Sequence, residues 1–354
     1  MIYKLRNHFY RHIKVIPVLL ILTASLLFAG CAGSETEDES KKGGDKSAVS
    51  IGLSFDSYII ERWERDRDVF VSTAKQMGAE INVQSANGDV ETQISQIEYF
   101  IEKKVDVIVI VAIDADKLTD VVKKAKDAGI HVIAYDRLIR NADVDMYISF
   151  DNEKVGRMMG EEIASHLENK KVIMICGAPA DNNVSLVNSG FENVIEQNRI
   201  QIIDKTFFEG WKAELGADYV NNHLDAVSAA DAIMCGNDDI ATNVIRTLAV
   251  YRKAGEIDIV GQDADLAACQ HIGEGTQNIT VYKPVEKLAA EAAKYAVDMA
   301  MGNEISVDNT INDGTFDVPY VALDPISVNK NNMDEIIIES GFHSKEDVYL
   351  NVTD

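Results

Sequence analysis

The stretch VDVIVIVAIDADKLTDVVKKAKDAGIHVIAYDR, residues 105–137, decides the fold. Its first strand, Val105 to Val111, contains the run Val107-Ile108-Val109-Ile110-Val111, which lacks the apolar/polar alternation of a strand with one wet face. Helices are therefore predicted on both sides of the sheet it joins. Ala115 to Ala128 is an amphipathic stretch of helical length, and Gly129 supplies the stop signal. His131 to Ala134 is apolar again and ends, after Tyr135, in the charged pair Asp136-Arg137. Strand, helix and strand in that order form the repeating unit of a parallel sheet.

The same alternation extends in both directions. Further strands are predicted at Val49–Phe55, Glu80–Gln84, Met146–Ser149, Lys171–Cys176, Gln201–Phe207, Ala232–Cys235, Asp258–Gly261 and Thr280–Tyr282. Further helices are predicted at Glu91–Lys103, Asn152–Leu167 and Pro284–Met301, the last followed by Gly302. Ten strands are more than one doubly wound unit of this kind holds, which implies two similar α/β lobes. No Pro/Gly-rich linker separates them in series, so the chain is expected to cross between lobes several times.

The ends bound the class. Lys4, Arg6, Arg11 and Lys14 precede an apolar run from Val15 to Ala29, which reads as an export signal and is too short for a membrane span. Leu27-Phe28-Ala29-Gly30-Cys31 resembles the lipobox of bacterial lipoproteins, with Phe28 where Leu is usual; the resemblance implies lipidation of Cys31, and ordinary secretory cleavage is the alternative. Residues 31–48 are mostly Ser, Gly, Glu, Asp and Lys, and are expected to form a flexible tether. The formal net charge of −24, more negative still once the basic leader is removed, repels phosphate backbones and excludes nucleic acid as a partner. Cys176, Cys235 and Cys269 show no CxxC spacing and read as buried thiols, not as metal ligands or a disulfide framework.

In open α/β sheets ligands sit beyond the carboxyl ends of the strands. Here those ends carry Asp136-Arg137, Asp181-Asn182-Asn183, Asn237-Asp238, Gln262-Asp263 and Lys283. Asp and Asn at such turns also cap helices, so each taken alone has a structural reading. Together, carboxylates, amides, a guanidinium and an ammonium match a polyol, whose hydroxyls both donate and accept. Trp63 and Trp211, the two tryptophans, are candidate platforms for a sugar face or else core residues. In the charged run from Glu61 to Asp68, which otherwise reads as a solvated helical face with Glu61 and Arg65 paired, only Arg62 and Trp63 are placed to reach a ligand.

Several segments carry a closer likeness: Ile51-Gly52-Leu53-Ser54, Glu61-Arg62-Trp63, Gln84-Ser85-Ala86-Asn87-Gly88, Ala134-Tyr135-Asp136-Arg137, Ile148 to Gly156, Gly261 to Asp265 and Thr280 to Pro284. They resemble the bacterial periplasmic D-xylose-binding proteins from about Val49 to Phe342. The resemblance implies a type I periplasmic-binding-protein fold, with two Rossmann-like lobes of parallel sheet and a three-crossing hinge near Phe150-Asp151, Lys283 and Gly314. It divides the chain into a leader (1–30), a tether (31–48), an N-terminal lobe (49–150 and 284–313) and a C-terminal lobe (151–283 and 314–354). Carried over by position, the ligand contacts fall on Arg62, Trp63, Asp136, Arg137, one or both of Asn182 and Asn183, Trp211, Asn237, Asp263 and Lys283. The implied function is capture of D-xylose or a related monosaccharide by a monomer that delivers it to the membrane permease of an ABC transporter from the outer face of the cytoplasmic membrane or the periplasm. A sugar sensor feeding a chemoreceptor or histidine kinase, and a binder of ribose, arabinose or glucose, are the alternatives. No cofactor or metal is expected, and no catalysis: Asp136, Asp238 and Asp263 could be imagined as a hydrolytic carboxylate pair, but HExxH, G-x-S-x-G and a phosphate-binding Gly loop are all missing.

Overall fold

The computed structural model describes residues 48–166 and 170–352. The leader, Cys31 and all but the last residue of the tether lie outside them. Among the described residues the strands are β1 (Ser50–Phe55), β2 (Glu80–Ser85), β3 (Val107–Ile110), β4 (His131–Tyr135), β5 (Met146–Phe150), β6 (Lys171–Cys176), β7 (Gln201–Phe207), β8 (Ala232–Cys235), β9 (Asp258–Gln262), β10 (Ile279–Tyr282), β11 (Thr310–Asn312), β12 (Asp317–Leu323) and β13 (Ile326–Val328). They form two sheets, in the orders β2-β1-β3-β4-β5-β12-β11 and β7-β6-β8-β9-β10-β13. Pairing is parallel except at one edge of each, where β11 runs against β12 and β13 against β10. This is the two-lobed α/β architecture that the apolar runs demanded.

All four residues of β3 are fully buried, with Val107 and Val109 in one apolar cluster and Ile108 and Ile110 in another. Both faces are therefore covered, and each such side chain contributes about 1.5–3 kcal/mol by leaving water. Strands β11 to β13 were not anticipated. β11 and β13 are three residues long, and Pro319 within β12 argues locally against a strand. The helix expected from Ala115 starts at Thr119; Ala115 lies in the turn before it and donates its N–H to the Ala180 carbonyl at 3.0 Å.

The chain passes between the sheets three times. After β5, the helix Asn152–His166 packs on β9 and β10; after β10, the helix Val285–Ala300 packs on the helix Arg62–Gln76 and on β3. The third passage is Asp324-Pro325, between β12 and β13. Gly314, expected at that passage, instead sits in the turn between β11 and β12, where its φ of +111° suits glycine and Asp313 accepts from the Thr315 and Phe316 N–H groups.

In the second lobe the helices Asn152–His166 and Asn182–Gln197 pack with their backbones almost in contact. A Cβ on Gly156 would lie 1.8 Å from the Val187 carbonyl oxygen, and one on Gly190 would lie 1.9 Å from that of Glu153. Two glycines therefore set how closely these helices approach.

Candidate functional site

The carboxyl ends of both sheets face one cavity. The first lobe lines it with Ile60, Arg62, Trp63, Asp136 and Arg137; the second with Asp181, Asn183, Val184, Trp211, Gln262 and Asp263; Lys283 reaches it from the second passage. Eight of the ten predicted contacts thus meet in one place. Asn182 faces away, half-buried, and accepts from Arg140 Nε at 3.2 Å. Asn237 is buried beside the cavity without lining it. Its side-chain oxygen caps the helix Asp238–Val250 through the Ile240 N–H at 3.0 Å, while its amide nitrogen has no partner among the described residues. The capping and ligand readings of Asn237 are therefore compatible, since they use different atoms.

The first-lobe half is an ion network. Arg62 contacts Asp66 with Nε and Nη2 at 3.1 and 3.0 Å and Asp136 with Nη1 at 2.9 Å. Tyr135 donates its hydroxyl to Asp66, and Arg137 reaches Asp56 at 2.7 Å and Asp181 at 2.8 Å. The Arg62 guanidinium also lies 4.5 Å from the centre of the Trp63 ring, which it holds by cation–π attraction. Burial alone would raise the Asp136 carboxyl, but Arg62, Lys283 and Arg137 outweigh it and hold Asp136 below the usual carboxylate range. For Asp66, burial wins over Arg62 and Tyr135 and the carboxyl is pushed up. Asp136 is thus the charged acceptor at the cavity and Asp66 the support behind Arg62.

The second-lobe half has fewer internal partners. Lys283 Nζ lies 3.1 Å from Asp263 Oδ1, yet that oxygen accepts no aligned hydrogen bond. Gln262 donates to the Gly236 carbonyl at 2.5 Å and leaves its own Oε1 unpartnered, as Trp211 leaves its indole N–H. Behind them burial drives the Asp238 and Asp265 carboxyls well above the usual range. Asp238 does not reach the cavity; it accepts from Thr280 at 2.6 Å and Gln277 at 2.9 Å, bracing the loops below it.

Three cavity residues hold left-handed backbone without being glycine: Asp136 at φ 63°, Trp211 at 57° and Asp263 at 100°. The Arg137 N–H closes back onto the Tyr135 carbonyl at 2.7 Å, so Asp136 is the centre of a tight γ-turn. Such conformations cost about 1–3 kcal/mol each and persist where surrounding structure enforces them, characteristically at binding sites.

Two readings from sequence are corrected by these contacts. The run from Glu61 to Asp68 is not a solvated face beyond Trp63, because Asp66 is fully buried beneath Arg62. Arg65 pairs with Glu286 at 2.7 Å and not with Glu61. Asp136 pairs with Arg62, and Arg137 binds Asp56 and Asp181. Asp66 had one legible signal, its i, i+4 spacing from Arg62, whereas Asp56 and Asp181 had none that tied them to Arg137.

Comparison with known proteins accords with this geometry. A family model described as a periplasmic binding protein domain matches residues 51–304. The D-xylose-binding periplasmic protein of Haemophilus influenzae is 42% identical over 306 residues, covering 85% of this chain and 92% of that one. That of Escherichia coli is 40% identical over 340 residues, covering 95% and 100%. Among solved structures, an ABC transporter solute-binding protein from Clostridium phytofermentans with bound β-D-glucose superposes with a TM-score of 0.77 at 29% identity, over 84% of this chain and 99% of that one.

Proposed function

The chain belongs to the periplasmic binding protein family, and from that premise we propose that it is the solute-binding component of an ABC importer, with D-xylose as its sugar. The observation that carries this reading is the set of buried polar atoms around one cavity that have no aligned partner among the described residues. The N–H groups of Trp63 and Trp211 and the Asn237 amide donate; Asp136, Gln262 and Asp263 accept. A small molecule with several hydroxyls, each able to donate and accept, matches such a mixed set. Hydrogen bonds to the charged members are worth about 1.5–3 kcal/mol each, and an epimer that leaves one buried group unpaired loses a comparable amount.

In this reading Arg62, Trp63, Asp136, Arg137, Asn183, Trp211, Asn237, Asp263 and Lys283 form the ligand shell. Contacts come from both lobes, so only the closed form makes them all, and sugar shifts the population toward it. The hinge consists of the passages at Asp151, Lys283-Pro284 and Asp324-Pro325. The reading is binding without catalysis: Asp136 and Asp263 face cations, and Asp238, the remaining carboxylate, is turned to Thr280 and Gln277. Lipidation of Cys31 completes the proposal by holding the protein near its permease, where effective concentration favours delivery. No helix among the described residues is long and apolar enough to cross a membrane.

Calorimetric titration of the purified protein with a panel of pentoses and hexoses tests the function. Saturable binding of D-xylose with much weaker binding of D-ribose is expected. Equal affinity for the two overturns the sugar assignment, and no binding of any monosaccharide overturns the function.

A further inference from the structure

The turn that starts the helix Asn182–Gln197 belongs to the second lobe, yet its polar groups are spent on the first. The Ala180 carbonyl accepts from the Ala115 N–H at 3.0 Å. Asp181 Oδ2 lies 2.8 Å from Arg137 Nε, both side chains being 3% exposed. Asn182 accepts from Arg140 at 3.2 Å, and Asn183 donates to the Asp136 carbonyl at 3.0 Å while accepting from the Tyr147 hydroxyl at 3.2 Å. Four consecutive residues thus contact five on the facing lobe through protein atoms alone. In contrast, Asp263 and Gln262 meet their cation or carbonyl within their own lobe or at its passage.

We propose that Asp181 is a positioning residue, the catch of an interlobe latch that stabilises the closed form whether or not sugar is bound. The suggestion builds on the sugar-binding reading and adds a component to it. Asp181 holds Arg137 from the side opposite Asp56, so the guanidinium bridges two carboxylates, one from each lobe. Opening the cleft would separate Arg137 from Asp181 and leave a buried carboxylate to be resolvated. Its own helix retains Asp181 in place, because Oδ1 caps the Asn183 N–H at 2.9 Å and leaves Oδ2 for the latch. A residue of this kind changes the fraction of protein that is closed, and apparent affinity scales with that fraction for every ligand alike. A ligand contact would instead change one sugar more than another.

The test is Asp181→Asn, which keeps the helix cap and removes the charge. In sugar-free protein, small-angle scattering should show a larger radius of gyration than wild type. In titrations, affinity for D-xylose should fall about 10- to 100-fold, and affinity for a weaker sugar should fall by the same factor, with faster dissociation. Tyr147→Phe removes a hydroxyl placed 3.2 Å from Asn183 Oδ1 across the interface and 3.0 Å from the Asp136 carbonyl in its own lobe, leaves the cap untouched, and should move both readouts in the same direction by a smaller factor. An unchanged radius of gyration in both variants overturns the latch, as does a selective loss for one sugar. The scattering arm is independent of sugar, so its outcome judges the latch even if the ligand assignment fails.

Discussion

The two halves of the cleft differ in how their polar groups are satisfied. On the first lobe, Arg62 serves Asp66 and Asp136 together, Tyr135 supports Asp66, and Arg137 is held by Asp56, so the charged groups there are paired before any ligand arrives. Among the described residues of that half of the cleft, only Trp63 Nε1 and Asp136 Oδ2 lack an aligned partner. On the second lobe, Trp211, Asn237, Gln262 and Asp263 each retain an atom without an aligned partner. The contrast suggests a division of labour. A rigid, charged half sets the geometry, and an under-satisfied half supplies the groups whose pairing depends on what enters.

If so, damage to the first half should unfold as well as unbind. Arg62→Leu leaves Asp66 and Asp136 buried without their common cation, and is expected to cost about 3–5 kcal/mol of stability along with sugar binding. Urea denaturation followed by circular dichroism measures the first, calorimetry the second. A loss of stability below about 1 kcal/mol would mean that the network is not the rigid member of the pair.

Damage to the second half should unbind without unfolding. Asn237→Ser preserves a helix-capping oxygen and deletes the unpartnered amide, so stability should stay within about 0.5 kcal/mol of wild type while sugar affinity drops about tenfold. Undiminished affinity would place Asn237 among capping residues only.

The smallest effect is electrostatic. Asp239, at the edge of the second half, has its carboxyl pushed up to about 6 by burial, by Asp263 and by Glu61. A carboxyl raised in the folded state favours folding when protonated, so its contribution is present at low pH and is lost as pH rises from the ordinary carboxylate range through about 6. Asp239→Asn should therefore be more stable than wild type at about pH 7.5 and near parity at about pH 4.5. Because the group is partly exposed, the gain should be under about 1 kcal/mol. Urea midpoints at the two pH values measure it, and a variant less stable at the higher pH would contradict the under-compensated picture of this half.

Much of this organisation was legible. Unalternating runs such as Val107 to Val111 require a sheet covered on both faces, and polar residues directly after strands, such as Asp136 and Asp263, fall where such sheets bind ligands. What escaped depended on partners distant in sequence. Asp66 looks solvated within a charged run, and only the approach of Tyr135 and Asp136 from a strand some seventy residues later buries it. Asp181 reads as an ordinary cap because its first function is local, and its second requires Arg137 from the opposite lobe. The last strands were hidden for other reasons: β11 and β13 are too short for periodicity to register, and β12 carries Pro319.

The near-contact of the helices Asn152–His166 and Asn182–Gln197 has a mechanical implication. One of these helices begins just after the first interlobe passage, and the other begins at Asp181. Their clearance, governed by the missing side chains of Gly156 and Gly190, calibrates how far the Asp181 carboxylate projects toward its counterpart. A single methyl group added there would act as a shim, thrusting the whole helix outward and detuning a joint to which neither glycine belongs.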